Sequence, residues 1–233
     1  MKNLFKKAFQ LKETQCAVIT DKPIGIQIAE QSIEFHRKQL EHYVEGNPRF
    51  LHTLEPVRIP DKPTVANLMA KAAKYANVGP MAAVAGVLAD LAVKDMTEAG
   101  CSIAVVENGG EISALSNETI DVAVAAGNEP LSKRFGFRLT DFPVGVATSS
   151  GRFSHALSFG DAEAATVFCK EAGLADAVAT AVGNVVKGNS VERAINRGLD
   201  VAMSITGVKG ALIIYRGQVG TVGQIPKIIK IDQ

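Results

Sequence analysis

The stretch that decides the fold is Ile103-Ala-Val-Val-Glu-Asn-Gly-Gly-Glu-Ile-Ser-Ala-Leu115, in which Asn108-Gly109-Gly110 separates two extended apolar segments. Asn-Gly between such segments is the strongest short-range signal for a β-hairpin. More short apolar segments with turn residues between them follow on the C-terminal side. The pattern predicts that the middle of the chain is mostly antiparallel sheet.

Outward from this hairpin, alternating or continuous apolar residues predict strands, and apolar residues at a spacing of three and four predict helices. We expect strands at 14–20, 24–28, 103–106, 112–115, 120–126, 135–139, 144–147, 155–159, 164–169, 211–215, 218–222 and 228–231. We expect helices at 29–45, 64–76, 79–98, 174–186 and 191–205. The first two strands are expected to pair as a hairpin across Asp21-Lys-Pro23.

The order strand-strand, helix-helix, strand-strand occurs twice, once around each group of helices, and no linker of Pro, Gly and Ser divides the chain. This favours an α+β fold in one domain, 1–233, built from two pseudo-repeated halves with antiparallel sheets backed by paired helices. The segment 79–98 is apolar on nearly every face and is expected to be a central buried helix. Its apolar run from Met81 to Val93 is interrupted by Asp90 and is too short to cross a bilayer.

Composition excludes several classes of function. Lys plus Arg number 25 and Asp plus Glu 24 in 233 residues, so no global field favours nucleic acid or an anionic membrane. The basic N-terminus is not followed by an apolar segment with a cleavage site, which favours a cytoplasmic protein. Cys16, Cys101 and Cys169 are far apart and form no C-x-x-C pair, so all three are interpreted as buried thiols.

A candidate metal site lies on the helix predicted at 174–186. Asp176 and Thr180 are four residues apart, so their side chains project from one face. A carboxylate and a hydroxyl suit part of a Mg²⁺ site completed by ligand phosphate. The alternative is that Asp176 caps the helix start and Thr180 binds a backbone carbonyl.

Candidate ligand-binding residues lie at two turns and one helix start. Thr148, Ser149, Ser150 and Gly151 offer hydroxyls and backbone N–H groups, and Asn108, Gly109 and Gly110 allow close approach to backbone. Gly79 and Met81 lie where the central helix begins and leaves N–H groups unpaired. We expect the two turns and His155 to line one concavity that binds a small anionic ligand. A polar turn and a simple hairpin turn remain the alternatives.

Asp90 lies inside the apolar central helix. A buried carboxylate needs partners, and a structural hydrogen-bond network is the favoured explanation. No G-x-S-x-G motif accompanies His155, so Ser/His catalysis is not supported.

Four motifs in chain order resemble an uncharacterised prokaryotic family that is distantly similar to ApbE, the FAD:protein FMN transferase. They are Gly79-Pro-Met-Ala-Ala-Val-Ala-Gly86, Glu107-Asn-Gly-Gly-Glu-Ile112, Thr148-Ser-Ser-Gly151 with His155-Ala-Leu-Ser-Phe-Gly160, and Ala175-Asp-Ala-Val-Ala-Thr-Ala-Val-Gly-Asn184. The resemblance extends to the N-terminal stretch that contains Arg37, Leu40 and Tyr43.

This resemblance implies a T-fold-like architecture, Mg²⁺ held by Asp176 and Thr180, and FAD or FMN as the ligand of a transferase or hydrolase. The transferase pattern has Lys where this chain has Ala85, and its Asn-Ala-Gly-Gly-Asp is shortened here to Asn-Gly-Gly-Glu. Relatives in the uncharacterised family are associated with sulfur assimilation toward homocysteine. A non-catalytic or sulfur-carrying accessory protein is therefore the alternative, and a structural homo-oligomer is the third hypothesis.

Overall fold

A computed structural model describes residues 4–123, 135–150 and 160–230. The strands are β1 Phe5–Leu11, β2 Thr14–Thr20, β3 Ile103–Asn108, β4 Glu111–Ser116, β5 Ile120–Ala123, β6 Phe135–Leu139, β7 Val144–Ser149, β8 Ala164–Cys169, β9 Gly210–Tyr215, β10 Gln218–Gly223 and β11 Lys227–Lys230. The helices are α1 Pro23–Gly46, α2 Pro48–His52, α3 Thr64–Ala76, α4 Val84–Glu98, α5 Ala172–Val185 and α6 Val191–Ser204, with a 3₁₀ turn at Pro80–Ala83 before α4.

Eight strands form one antiparallel sheet in the order β1-β2-β3-β4-β7-β8-β9-β10. The first four strands and the last four each consist of two hairpins with helices between them in the chain. The described chain therefore has the α+β architecture that the sequence predicts, and its strand order repeats in two halves.

The large sheet lies between the helices and a small sheet of order β11-β6-β5. Successive side chains of a strand point to opposite faces. In β8, for example, Ala165 and Val167 pack in the cluster that contains the helices, whereas Ala164 and Phe168 pack toward Phe137 of the small sheet. Both faces of β8 are covered, and this explains why every residue from Ala164 to Cys169 is buried.

The predicted hairpin of 14–20 with 24–28 is wrong. β2 pairs with β1, a strand that was not predicted from the sequence, and with β3 on its other edge. Residues 24–28 form the start of α1, which begins at Pro23 and buries Gly25, Ala29 and Ile33 at four-residue spacing. The alternation of isoleucine with polar residues imitates a strand, but proline in the first turn and this spacing favour a helix.

The other predicted elements agree with the structure to within a few residues, and α3 has the predicted bounds. β7 continues to Ser149, so Thr148 and Ser149 belong to the strand rather than to the turn after it. The strand predicted at 155–159 and the end of the one predicted at 120–126 lie outside the described residues.

The central helix is buried as predicted, and α4 packs between α1 and α5. Among the described residues, no single helix is long and apolar enough to span a membrane, and the segments Thr64–Ala76 and Pro80–Glu98 pass that test only as a pair bent by 102°.

Glycines allow α4 and the start of α5 to touch backbone to backbone. A Cβ on Gly86 would lie 2.3 Å from the Ala172 carbonyl oxygen, and one on Gly173 would lie 2.4 Å from Cγ2 of Val87. Both distances are far below van der Waals contact. The crossing brings side chains of each helix to the first turn of the other.

Candidate functional site

Asp90 of α4 caps the start of α5. Its Oδ1 accepts hydrogen bonds from the Ala172 N–H at 2.9 Å and the Ser113 hydroxyl at 2.7 Å, and its Oδ2 accepts one from the Gly173 N–H at 2.8 Å. Burial raises the pKa of Asp90 to about 6, against the lowering effect of these donors. The interpretation of Asp90 as part of a structural hydrogen-bond network is confirmed.

Asp176 of α5 reaches the start of α4 in the same way. Its Oδ2 accepts a hydrogen bond from the Gly86 N–H at 3.0 Å. Because α5 begins at Ala172, Asp176 does not cap its own helix, and that part of the alternative is wrong. Burial raises the pKa of Asp176 to about 7, and the Gly86 and Ala85 N–H groups lower it.

Beside Asp176 is a cavity of about 620 Å³. It is lined by six of the residues proposed from the sequence as ligand or metal contacts, namely Met81, Asn108, Gly109, Thr148, Asp176 and Thr180. These residues come from the β3–β4 turn, from β7, from the 3₁₀ turn and from α5. The structure therefore brings together residues that are far apart in the chain.

Asn108 is fixed in the cavity wall by two contacts. Its Nδ2 donates to the Ala85 carbonyl at 3.0 Å, and its Oδ1 accepts a long contact of 3.6 Å from the Cys16 thiol. Gly109 and Gly110 have φ values of +67° and +114° and form the predicted turn between β3 and β4. The hairpin prediction is confirmed, and the turn also places Gly109 in the cavity wall.

The remaining predicted site residues do not line this cavity. Gly79 lies in an adjoining cavity of about 340 Å³, which shares Met81 and Thr180 with the first. Gly110, Ser149 and Ser150 are not among the lining residues, and the Ser150 hydroxyl is buried with no hydrogen-bond partner in the described part of the chain. Gly151 and His155 lie outside the described residues.

Four charged residues of the cavity wall were not predicted from the sequence as site residues. These are Glu13, Arg37, Glu41 and Glu111. Glu111 is the cross-strand partner of Asn108, directly after the glycine turn, so the turn that brings Asn108 to the cavity also brings this carboxylate. Arg37 stood in the N-terminal stretch that carried the family resemblance, and that was the signal available for it.

Two carboxylates interact electrostatically in the cavity. Burial holds the pKa of Glu111 well above its usual range, and the charge of Asp176 raises it further. The rest of the wall is largely aliphatic, with Leu40, Val44, Leu51, Val84 and Leu88. Within the described residues no three His, Cys, Asp or Glu side chains form a metal-binding cluster. The cavity therefore offers an acidic end and an apolar wall.

The three cysteines are buried and free, as predicted. Burial raises the pKa of Cys16 and of Cys169 to about 12. Because all three thiols are buried, we expect iodoacetamide to leave the three cysteines of the native protein unlabelled and to label all three after denaturation. Mass spectrometry of tryptic peptides measures the labelling. Rapid alkylation of any cysteine in the native protein would contradict this prediction and would favour a sulfur-carrying role.

Comparison with known proteins places the chain in a family. The family model described as AbpE bacteria matches residues 6–221. A UPF0280 protein of Methanococcus vannielii is 40% identical over 99% of this chain and 95% of its own length. Among solved structures, flavinyl transferase ApbE of Pseudomonas stutzeri in its apo form has a TM-score of 0.61 and 15% identity, over 94% of each chain.

The ApbE protein of Thermotoga maritima has the same TM-score of 0.61, with 13% identity over 98% of this chain and 97% of that chain. At such low identity these two structures establish the fold alone. The family model covers nearly the whole described chain, and the methanogen relative aligns from end to end. The chain therefore belongs to the AbpE bacteria family, together with the archaeal UPF0280 proteins.

Proposed function

We propose that the protein binds a small phosphorylated, flavin-like ligand together with a divalent cation in the 620 Å³ cavity and acts as a group transferase. The observation that carries the proposal is the convergence of Asn108, Gly109, Thr148, Asp176 and Thr180 on one cavity with an aliphatic wall. An apolar wall with a few polar groups at one end is typical of a site for a flat organic ligand with a polar tail. The fold shared with flavin transferases supports this choice of ligand.

The oxygen atoms in the cavity fit a hard cation such as Mg²⁺. Asp176 and Glu111 supply carboxylates and Thr180 supplies a hydroxyl. The raised pKa values of Glu111 and Asp176 mean that two negative charges there are unfavourable without a counter-charge. Asp176 and Thr180 would hold the cation, with Glu111 nearby. When bound, the cation would neutralise ligand phosphate oxygens.

The chain's own groups bind and orient the ligand. The Gly109 backbone, with no side chain, allows a flat group to approach the β3–β4 turn closely. Asn108 is held by Ala85, so the amide is positioned before the ligand arrives. The aliphatic side chains Leu40, Val84 and Leu88 exclude water from one side. Transfer to water instead of another acceptor would make the same site a hydrolase.

The substitution Asp176→Asn tests the cation site. Asparagine keeps an oxygen that can accept the Gly86 hydrogen bond, whereas alanine would remove this contact. We expect Mg²⁺ to increase FAD affinity in the wild type. In the variant, FAD affinity in the presence of Mg²⁺ should fall by at least roughly 10- to 100-fold, which is the loss of metal affinity that removing a supporting carboxylate causes. Fluorescence titration of FAD and FMN with Mg²⁺, and again with EDTA, measures the effect.

Asp200→Asn is the matched control, because Asp200 is exposed on α6 and does not line the cavity. It should bind FAD like the wild type. Without ligand, Asp176→Asn should reduce the free energy of unfolding by less than about 1.5 kcal/mol, the value of one hydrogen bond. If Mg²⁺ leaves the affinity of the wild type unchanged, the cation site is refuted. If FAD and FMN fail to bind under both conditions, the flavin proposal is refuted.

A further inference from the structure

The charges of the cavity wall do not match an anionic ligand unless specific groups offset them. Among the described lining residues, Glu13, Glu41, Glu111 and Asp176 are acidic and Arg37 is the one basic residue. A cation beside Asp176 would neutralise one end of the cavity. Among the described lining residues, Arg37 is then the remaining positive charge that can stabilise a negative charge on the ligand.

Arg37 is held at the cavity between the β1–β2 turn and its own helix. It donates from Nη1 to the Thr14 hydroxyl and from Nη2 to the Glu13 carboxylate, and from Nε to Oε1 of Glu41 at 3.2 Å. A guanidinium has five N–H groups, and these contacts use one on each nitrogen. One N–H on each terminal nitrogen therefore stays available for a ligand oxygen.

The partners of Arg37 differ in how easily they can be displaced. The Glu13 side chain is 82% exposed, whereas that of Arg37 is 17% exposed. Glu41 also accepts hydrogen bonds from Lys12 at 2.8 Å, so it is held from two sides. Exposed ion pairs contribute little free energy. Glu13 is thus the partner that an incoming anion can replace at small cost.

Arg37 and Asp176 reach the cavity from different helices. Arg37 is on α1 and Asp176 on α5, and α4 packs against both of these helices. An anionic group at Arg37 is therefore distinct from one bound through a cation at Asp176.

We propose that Arg37 is a second anion-binding residue of the cavity, at which a phosphate or carboxylate of the ligand replaces the Glu13 carboxylate without the help of a metal ion. The proposal rests on the proposed function only in that the same cavity is the binding site. It adds that the ligand carries negative charge at the α1 side as well as at the Asp176 side. Arg37 then selects between ligands by their charge at that end.

The test uses sodium pyrophosphate as the probe, in EDTA and at constant ionic strength. Thermal unfolding at increasing pyrophosphate concentration gives an apparent Kd, because a ligand that binds the folded state raises Tm. We expect Arg37→Gln to weaken binding by about tenfold or more, the loss of a hydrogen bond to a charged group. Glu13→Gln removes the competing carboxylate and should tighten binding by about two- to fivefold.

The opposite effects expected for Arg37→Gln and Glu13→Gln on the apparent Kd distinguish ligand recognition from a purely structural role. If the Arg37–Glu13 pair only braced the β1–β2 turn against α1, both variants would lower Tm without pyrophosphate and neither would alter the apparent Kd. Arg193→Gln is the control, since Arg193 is exposed on α6 and does not line the cavity. If Arg37→Gln does not fold, Arg37→Lys replaces it, because lysine keeps the charge but loses the planar set of donors. Arg37→Lys should then weaken pyrophosphate binding, and Glu13→Gln should still tighten it.

Equal apparent Kd values for the wild type, Arg37→Gln and Glu13→Gln would overturn the proposal, and so would a wild type that pyrophosphate does not stabilise. Failure of the flavin proposal is recognised separately. In that case FAD and FMN do not bind with Mg²⁺, while the pyrophosphate response still depends on Arg37.

Discussion

Replacing Asp90 with alanine is expected to lower the free energy of unfolding by about 3–5 kcal/mol, because it leaves buried donors without an acceptor. The Ala172 and Gly173 N–H groups and the Ser113 hydroxyl all donate to this one carboxylate. Alanine cannot replace the carboxylate, and the start of α5 stays packed against α4, where water has little access. Urea unfolding followed by circular dichroism measures the change.

Glu98→Ala is the control for Asp90→Ala, since Glu98 is exposed at the end of the same helix and only forms a 3.7 Å ion pair with Lys94. It should change stability by less than about 0.5 kcal/mol. Asp90→Asn keeps an oxygen acceptor and should fall between the two. A loss below about 1 kcal/mol for Asp90→Ala would show that the capping hydrogen bonds contribute little to the stability of the fold.

The second large effect is expected at Gly86, where even a methyl group has no space. The Cβ of Gly86→Ala would lie 2.3 Å from the Ala172 carbonyl oxygen and 2.8 Å from the Gly173 nitrogen. Both neighbours are backbone atoms, which cannot rotate away as a side chain can, so α4 and α5 must separate. We expect a loss of about 3 kcal/mol or more in the free energy of unfolding, measured by the same urea titration.

Gly46→Ala is the matched control for Gly86→Ala. A Cβ at Gly46, the last residue of α1, would have nothing within 4 Å. Since alanine favours helix more than glycine does, this variant should be stabilised by up to about 1 kcal/mol. If Gly86→Ala were as stable as Gly46→Ala, the close crossing of α4 and α5 would be wrong.

The helix crossing at Gly86 also matters for the candidate site. The Gly86 N–H donates to Asp176, so separation of α4 from α5 would displace a proposed cation ligand. We infer that Gly86→Ala also weakens any Mg²⁺-dependent binding of FAD. The helix crossing thus holds the fold together and positions Asp176 at the cavity.

The acidic character of the cavity follows from its position in the fold. Glu111 is the first residue of β4, Asp176 lies on α5, and Glu41 lies on α1. They are far apart in the sequence, and no local pattern indicates that they share a wall. The expectation of an anionic ligand rested on the two neutral turns, on the helix start at Gly79 and on the cation site at Asp176 and Thr180. The additional carboxylates in the wall require a counter-ion or Arg37 to offset their charge for such a ligand.

Local patterns determined most of the secondary structure. Asn108-Gly109-Gly110 specified a hairpin because only a few residue types adopt positive φ at low cost, and the structure has φ values of +67° and +114° at the two glycines. The apolar spacing in α3 predicted its bounds from Thr64 to Ala76. The repeated order of hairpins and helices also predicted the two halves of the large sheet.

Tertiary contacts decided what local patterns left ambiguous. Residues 24–28 have the alternation of a strand and were predicted as one, but they form the start of α1, where Ala29 and Ile33 pack in one cluster with Ala89 and Ala92 of α4. β1, with its lysines and mostly exposed residues, is a strand because its backbone pairs with β2 along its whole length. Such pairing depends on a partner strand rather than on the strand's own composition.

The site itself shows the same division. From the sequence alone, helical spacing placed Asp176 and Thr180 on one face, and both line the cavity. Only the tertiary structure showed that Asp176 accepts the Gly86 N–H, and that Asp90 makes the reciprocal contacts at Ala172 and Gly173. The physical reason is that a side chain's sequence spacing determines its direction from its own helix, whereas its partners depend on which backbone groups another helix presents at the crossing.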